Sequence, residues 1–115
     1  MKIAFLLVLA SPSAFAAHVN CVSDANSDRE LRIFLSAAGA PTQVSLANLD
    51  WGTGGNGGIQ ALAPVRENKF RVADQAGPGK GLSKGDILRV QSGESGIKKV
   101  IVSGEPGKPE AFTCN

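Results

Sequence analysis

The sequence predicts an all-β fold: a small single-domain antiparallel sandwich or barrel of about eight short strands, with its termini linked by one disulfide bond. Several segments alternate apolar and polar side chains with a period of two, as half-buried strands do. Glycines and prolines (14 and 6) recur at short intervals between them, which is typical of strands joined by tight turns. A cysteine stands near each end of the predicted domain.

A secretory signal peptide is predicted for residues 1–16. Lys2 supplies the positive start, residues 3–10 are an uninterrupted apolar core, and Ala14 and Ala16 are the small residues expected before a cleavage site. This core is far shorter than the roughly 20 residues of a membrane-spanning helix. We therefore expect residues 17–115 to form a single β-domain that is periplasmic or secreted, with no stable membrane insertion.

The two cysteines, Cys21 and Cys114, allow only one pairing. In an exported protein such a pair is expected to be a structural disulfide bond. The alternative is a pair of reactive thiols or metal ligands, which the absence of a C-x-x-C motif disfavours.

The first two predicted strands show the alternation most clearly. The segment "HVNC" puts Val19 and Cys21 on one face, so the disulfide bond is expected on the buried side. The segment "RELRIFLS" puts Leu31, Ile33 and Leu35 on one face. A helix over "SDRELRIFLSAAG" is the alternative, but it would spread apolar side chains round much of a short helix.

The third predicted strand contains a change of phase. In "TQVSLANLDW", Val44 and Leu46 are in register, but the apolar positions continue at Leu49 and Trp51. This slip predicts a β-bulge near residues 47–48.

The second half of the chain supplies the other strands. In the segment "GIQALAPVRENKF", one set of residues alternates with another at a period of two: Ile59, Ala61, Ala63 and Val65 against Gln60, Leu62 and Pro64. Pro64 would break a helix in its second turn, so a strand is predicted. The segments "KFRVAD" and "EAFTC" also alternate, whereas "GDILRVQS" and "IKKVIVSG" carry the denser apolar runs of more central strands.

Residues 52–57, "GTGGNG", match the G-x-G-x-x-G dinucleotide fingerprint, and Asp74 lies at the distance of a ribose-binding acid. That chemistry needs a helix directly after the last glycine, and a strand is predicted there instead. We interpret the segment as a hairpin loop, either a plain connector or a loop that contacts a partner. The candidate contact residues are Trp51, Gly52, Gly54, Asn56 and Gly57, with Trp51 either in the core or a contact anchor.

The second long connector contains "GPGKGLSKG", residues 77–85. Lys80 and Lys84 are candidate anion-binding residues, in a nest of backbone amides with two ammonium groups. The alternative is a solubilising loop whose lysines face water. The segment lacks the P-loop pattern.

No catalytic site, metal site or cofactor is predicted. His18 is the only histidine. A hydrolytic site therefore has only this residue as a histidine base, and a zinc site with several histidine ligands is excluded. Four acidic residues are available for acid–base work but lie in no motif: Asp50, Glu67, Asp74 and Asp86.

The formal net charge is only +2, and the chain has no basic run beyond Lys98 and Lys99. Nucleic acid is therefore not an expected partner. In outline the chain resembles small periplasmic inhibitor and binding domains of bacteria, a likeness of architecture alone. The resulting hypothesis is a non-enzymatic exported β-domain that binds an envelope or extracellular protein or another macromolecule. The alternatives are a small-anion or glycan binder using Lys80 and Lys84, and a structural accessory without a ligand.

Overall fold

Eight antiparallel strands form a closed barrel in the computed structural model, which describes residues 17–51, 57–77, 80–104 and 109–115. The predicted signal peptide lies outside these residues. Each strand pairs with its neighbours in the chain, and the last pairs with the first. The all-β prediction is confirmed, and the fold is a barrel rather than a sandwich. The strands are β1 (Ala17–Ser23), β2 (Arg29–Leu35), β3 (Pro41–Asn48), β4 (Gln60–Arg66), β5 (Lys69–Val72), β6 (Ile87–Gly93), β7 (Gly96–Ser103) and β8 (Glu110–Cys114).

Aliphatic side chains that point inward from alternate strand positions fill the barrel. An eight-stranded barrel is just wide enough for such side chains to meet at its axis. Phe112 is the largest of the fully buried side chains. The core cluster consists of Cys21, Leu31, Ile33, Val44, Leu46, Val72, Leu82, Leu88, Val90, Val100, Val102 and Phe112.

The disulfide bond closes the barrel where its first and last strands meet. Cys21 on β1 lies directly opposite Cys114 on β8, with their Cα atoms 3.9 Å apart, so the predicted bond is confirmed. Asp24, just after β1, reinforces this seam because its carboxylate accepts hydrogen bonds from Thr113 Oγ1 at 2.6 Å and Lys99 Nζ at 3.0 Å.

The two ends of the barrel differ. At one end, which we call the glycine end, the connector 49–59 joins β3 to β4 and the connector 73–86 joins β5 to β6. At the other, which we call the hairpin end, short turns join β2 to β3, β4 to β5 and β6 to β7. No helix in the described part of the chain is long and apolar enough to cross a membrane.

Two local expectations are settled by the pairing of β2 with β3. Residues 29–35 form a strand, so the helix alternative is excluded. The expected bulge near residues 47–48 is wrong, because β3 pairs with β2 without interruption there and the register shift lies between Phe34 and Leu35. The phase slip instead marks the end of β3. The Asn48 Oδ1 accepts a hydrogen bond from the Asp50 amide at 3.0 Å, and the chain turns into a 3₁₀ helix, Leu49–Trp51.

Candidate functional site

The two glycine-rich connectors pack against each other at the glycine end. A Cβ on Gly57 would overlap the Cα of Gly81 and lie 2.5 Å from its nitrogen. The Gly57 amide donates a hydrogen bond to the Leu46 carbonyl at 3.0 Å, which ties the first connector to β3. Gly57 therefore has a packing role in addition to its predicted place in a contact loop. The predicted contact residues Gly52, Gly54 and Asn56 lie outside the described residues.

Gln60 fastens the second connector to the barrel. Its side chain is 1% exposed and points inward from the start of β4. The Nε2 group donates to the carbonyls of Asp74 at 2.9 Å and Leu82 at 2.8 Å, and Oε1 accepts from the Leu82 amide at 3.0 Å. These bonds satisfy a polar group that would be costly to bury alone, and they hold Leu82 in the core. This role of Gln60 is not predictable from the sequence, because a lone glutamine in a strand carries no distinguishing pattern.

Asp74, the candidate ribose-binding acid of the rejected fingerprint, joins the same arrangement. Its Oδ2 accepts a hydrogen bond from the Ala61 amide at 3.1 Å. This carboxylate therefore links the second connector to β4.

Trp51 is half-buried and packs against the core cluster. The preceding Leu49 amide donates to the Asp28 carbonyl at 3.1 Å, which holds the 3₁₀ helix to the loop between β1 and β2. The indole thus anchors the start of the first connector to the barrel. Only its exposed part is left for contact with a partner.

Because Gln60 points inward, its neighbour Ile59 points outward and is 58% exposed. Leu49, at the opposite end of the same connector, is 74% exposed. Ile59 also lines a groove of about 350 Å³ on the outside of β2 and β3. We call it the outer groove. Its lining residues are Glu30, Arg32, Phe34, Ser45, Ala47 and Ile59.

The outer groove has a small-residue floor and a mixed rim. Ser45 and Ala47 on β3 face Arg32 and Glu30 on β2 in the strand register, so short side chains lie beside two opposite charges. Phe34 closes one end, and its ring lies 6.1 Å from the His18 ring. This geometry suits an inserted apolar side chain with polar groups around it.

Three backbone amides of the loop that carries the candidate anion-binding residues donate hydrogen bonds within the protein. The Lys80 amide donates to the Gly77 carbonyl at 3.2 Å, and the Lys84 amide donates to Gln75 Oε1 at 3.1 Å. The Ser83 amide donates to Asp86 Oδ2 at 2.9 Å. The hypothesis of an anion site at Lys80 and Lys84 therefore rests on their two ammonium groups rather than on these amides.

A partly buried ion pair lies at the glycine end. Arg29 donates to Glu110 through Nε at 2.8 Å and through Nη2 at 2.9 Å. Burial raises the pKa of Glu110, but the hydrogen bonds from Arg29 and Ser23 outweigh it, so the net pKa lies below the ordinary value. The Ser23 Oγ also accepts from the Ala25 and Asn26 amides, both at 3.2 Å. These contacts use the polar groups for structure, since they join β8 to β2 across the end of β1.

A second cavity, of about 270 Å³, opens at the hairpin end beside Phe70, Val90 and Ile97. This volume is below the roughly 300–1,000 Å³ of ordinary ligand pockets. Within the described ranges, no group of three or more histidine, cysteine, aspartate or glutamate residues has the placement to hold a metal ion.

Comparison with protein-family models, with curated proteins and with solved structures finds no match to this chain. The functional inferences below therefore rest on the residues and their geometry.

Proposed function

We propose that residues 17–115 form an exported, non-enzymatic domain that binds a protein partner through the outer groove and the adjoining connector 49–59. One observation carries the proposal: Leu49 and Ile59, at the two ends of that connector, are 74% and 58% exposed, and Ile59 lines the groove. Apolar side chains left in water beside a polar-rimmed groove are a feature of interaction sites.

A protein suits the outer groove better than a small molecule does. The groove lies on the outer wall of the barrel, while the interior is filled by the core cluster. Glu30 and Arg32 give its rim one charge of each sign, which favours a partner whose apolar side chain is flanked by charged groups. The half-buried Trp51, at the start of the connector, packs against the core cluster.

Export through the signal peptide 1–16 to the periplasm or the medium is part of the same proposal. The disulfide bond between Cys21 and Cys114 supports it, because such bonds persist in oxidising compartments. An anion or glycan site at Lys80 and Lys84 and a structural role without a ligand stay as the alternative predictions.

The test is affinity capture from the cell envelope and the culture medium, with oxidised protein as bait. Ile59→Ser and Leu49→Ser remove the exposed apolar side chains. Val65→Ser is the matched control, because Val65 is 42% exposed on β4 and is not among the groove residues. We expect one partner to be retained by the wild type and by Val65→Ser. Its affinity for Ile59→Ser should fall about tenfold or more, as for a central interface residue. Equal retention by all four proteins would contradict the proposal.

A further inference from the structure

Four cationic side chains gather on the outer wall of β4, β5 and β6 near the hairpin end. Arg66 lies opposite Lys69, and Lys69 lies opposite Arg89, so three cations form one row across three strands. Arg71 follows two residues after Lys69 and points to the same side. We call these four residues, Arg66, Lys69, Arg71 and Arg89, the basic face.

Among the described residues, no carboxylate forms an ion pair with the basic face. The two ion pairs found in the described ranges join Arg29 to Glu110 and Lys99 to Asp24, and neither involves these four residues. A concavity of about 380 Å³ lies beside Arg66, Lys69 and Arg89. Glu67 also lines it but forms no ion pair with the basic face. Like charges directly opposite each other on neighbouring strands destabilise a sheet. Folding stability alone therefore gives no reason for this row.

The surroundings of the basic face restrict the kind of ligand. Both β5 and β6 are paired on each side, so no strand edge is open for a peptide to add to the sheet. The outward neighbours in the register are Ala63, Ile87 and Ile101, so no aromatic ring among them offers a platform for nucleic-acid bases. Recognition is left to guanidinium and ammonium groups, whose natural partners are carboxylate, sulfate and phosphate.

The spacing of the charges favours a chain over a single anion. Neighbouring strands lie about 4.8 Å apart, so the row from Arg66 to Arg89 across three strands is about 10 Å wide. Arg71 lies about 6.6 Å from Lys69 along β5. One small anion spans only part of that width. A chain that presents an anionic group on successive units meets all the cations together.

We propose that the basic face binds an acidic polysaccharide, a chain bearing carboxylate or sulfate groups on its sugars. Each guanidinium forms a forked pair of hydrogen bonds with one such group, and Lys69 supplies a point charge between them. This surface is separate from the outer groove, so its occupancy does not depend on the protein partner proposed above.

The experiment measures the affinity of the oxidised protein for heparin and for polygalacturonate by titration calorimetry at low and high salt. The test variant is Lys69→Gln/Arg89→Gln. The matched control is Lys80→Gln/Lys84→Gln, which removes the same charge from the other end of the barrel. We expect the wild type and the control to bind with salt-sensitive affinity, and the test variant to bind about tenfold more weakly or worse. Its thermal midpoint should equal or exceed that of the wild type, because a like-charge contact is removed.

Equal weakening of the two double variants would overturn the proposal, since net charge alone would then explain binding. A loss confined to Lys80→Gln/Lys84→Gln would overturn it in favour of the loop 77–85. Absence of polysaccharide binding, or tighter binding to single-stranded DNA or anionic phosphatidylglycerol vesicles, would also overturn it. Ile59→Ser should retain the wild-type polysaccharide affinity, which separates this result from the fate of the outer-groove proposal.

Discussion

The backbone of Gly57 lies directly against the backbone of Gly81, with no room for a Cβ between them. This contact brings together two glycine-rich connectors that are far apart in the chain. Both connectors have further ties to the barrel, through Leu46 for the first and Gln60 for the second. Gly57, the last glycine of the segment that matches a nucleotide-binding fingerprint, therefore has a packing role where the two connectors meet.

Gly81→Ala should destabilise the protein. Gly81 has a φ of +75°, and an added Cβ would lie 2.6 Å from Ala76 Cβ and 2.8 Å from Gln60 Oε1. The strained backbone and the clash together should cost about 2–3 kcal/mol of the free energy of unfolding, measured by urea denaturation. Gly39→Ala is the control, because Gly39 has a φ of +88° but nothing within 4 Å of the added Cβ. Equal losses for the two variants would show that the clash is unimportant.

Gln60→Leu should weaken the attachment of the second connector. The change keeps the side-chain size but leaves the Asp74 carbonyl and both backbone polar groups of Leu82 without their partner. We expect a loss of about 3 kcal/mol in urea denaturation, with faster hydrogen exchange at the Leu82 amide. Gln43→Leu, an exposed position on β3, should change stability by about 0.5 kcal/mol or less. An unchanged rate of hydrogen exchange at the Leu82 amide in Gln60→Leu would show that Gln60 does not hold the second connector.

Stability should fall in acid through Glu110. The folded-state pKa of this carboxyl lies below its ordinary value of 4.5, so the unfolded chain binds a proton more readily. The contribution is complete above pH 4.5 and is lost as the pH falls through the lowered folded-state value. Glu110→Gln should therefore show a smaller loss of stability than the wild type in that acid window, measured by urea denaturation at a series of pH values. Parallel pH profiles would refute this assignment. The remaining acid sensitivity in Glu110→Gln includes Asp24, whose pKa is lowered by the hydrogen bonds from Thr113 and Lys99.

Reduction of the disulfide bond should lower stability without opening the barrel at low temperature. The bond spans 93 residues of sequence, so its loss should cost about 3–5 kcal/mol by the loop-entropy account. The hydrogen bonds of Asp24 and the ion pair of Arg29 with Glu110 still hold β8 to the first two strands. The measurement compares urea denaturation of the oxidised protein with that of Cys21→Ala/Cys114→Ala, and the far-ultraviolet spectrum checks the fold. An unchanged urea midpoint would show that the disulfide bond does not stabilise the fold.

Local patterns were sufficient for the strands, whereas the residues of the outer groove were not predicted from the sequence. Leu31 and Ile33, or Phe112 and Cys114, share a face because side chains alternate along any strand, whatever lies beside it. Local patterns did not predict which residues of β4 point into the barrel. Ile59 and Gln60 are adjacent, and Gln60 is buried only because its hydrogen bonds to Leu82 and Asp74 compensate for burial.

The sequence by itself determined the all-β class, the strand-rich periodicity and the single pairing of Cys21 with Cys114. Only the tertiary structure decided that the sheet closes, that Gly57 meets Gly81, and that Arg66, Lys69 and Arg89 form one row in a chain of low net charge. Hydrophobic alternation is a short-range property of a strand, whereas closure and register arise from pairing between distant segments.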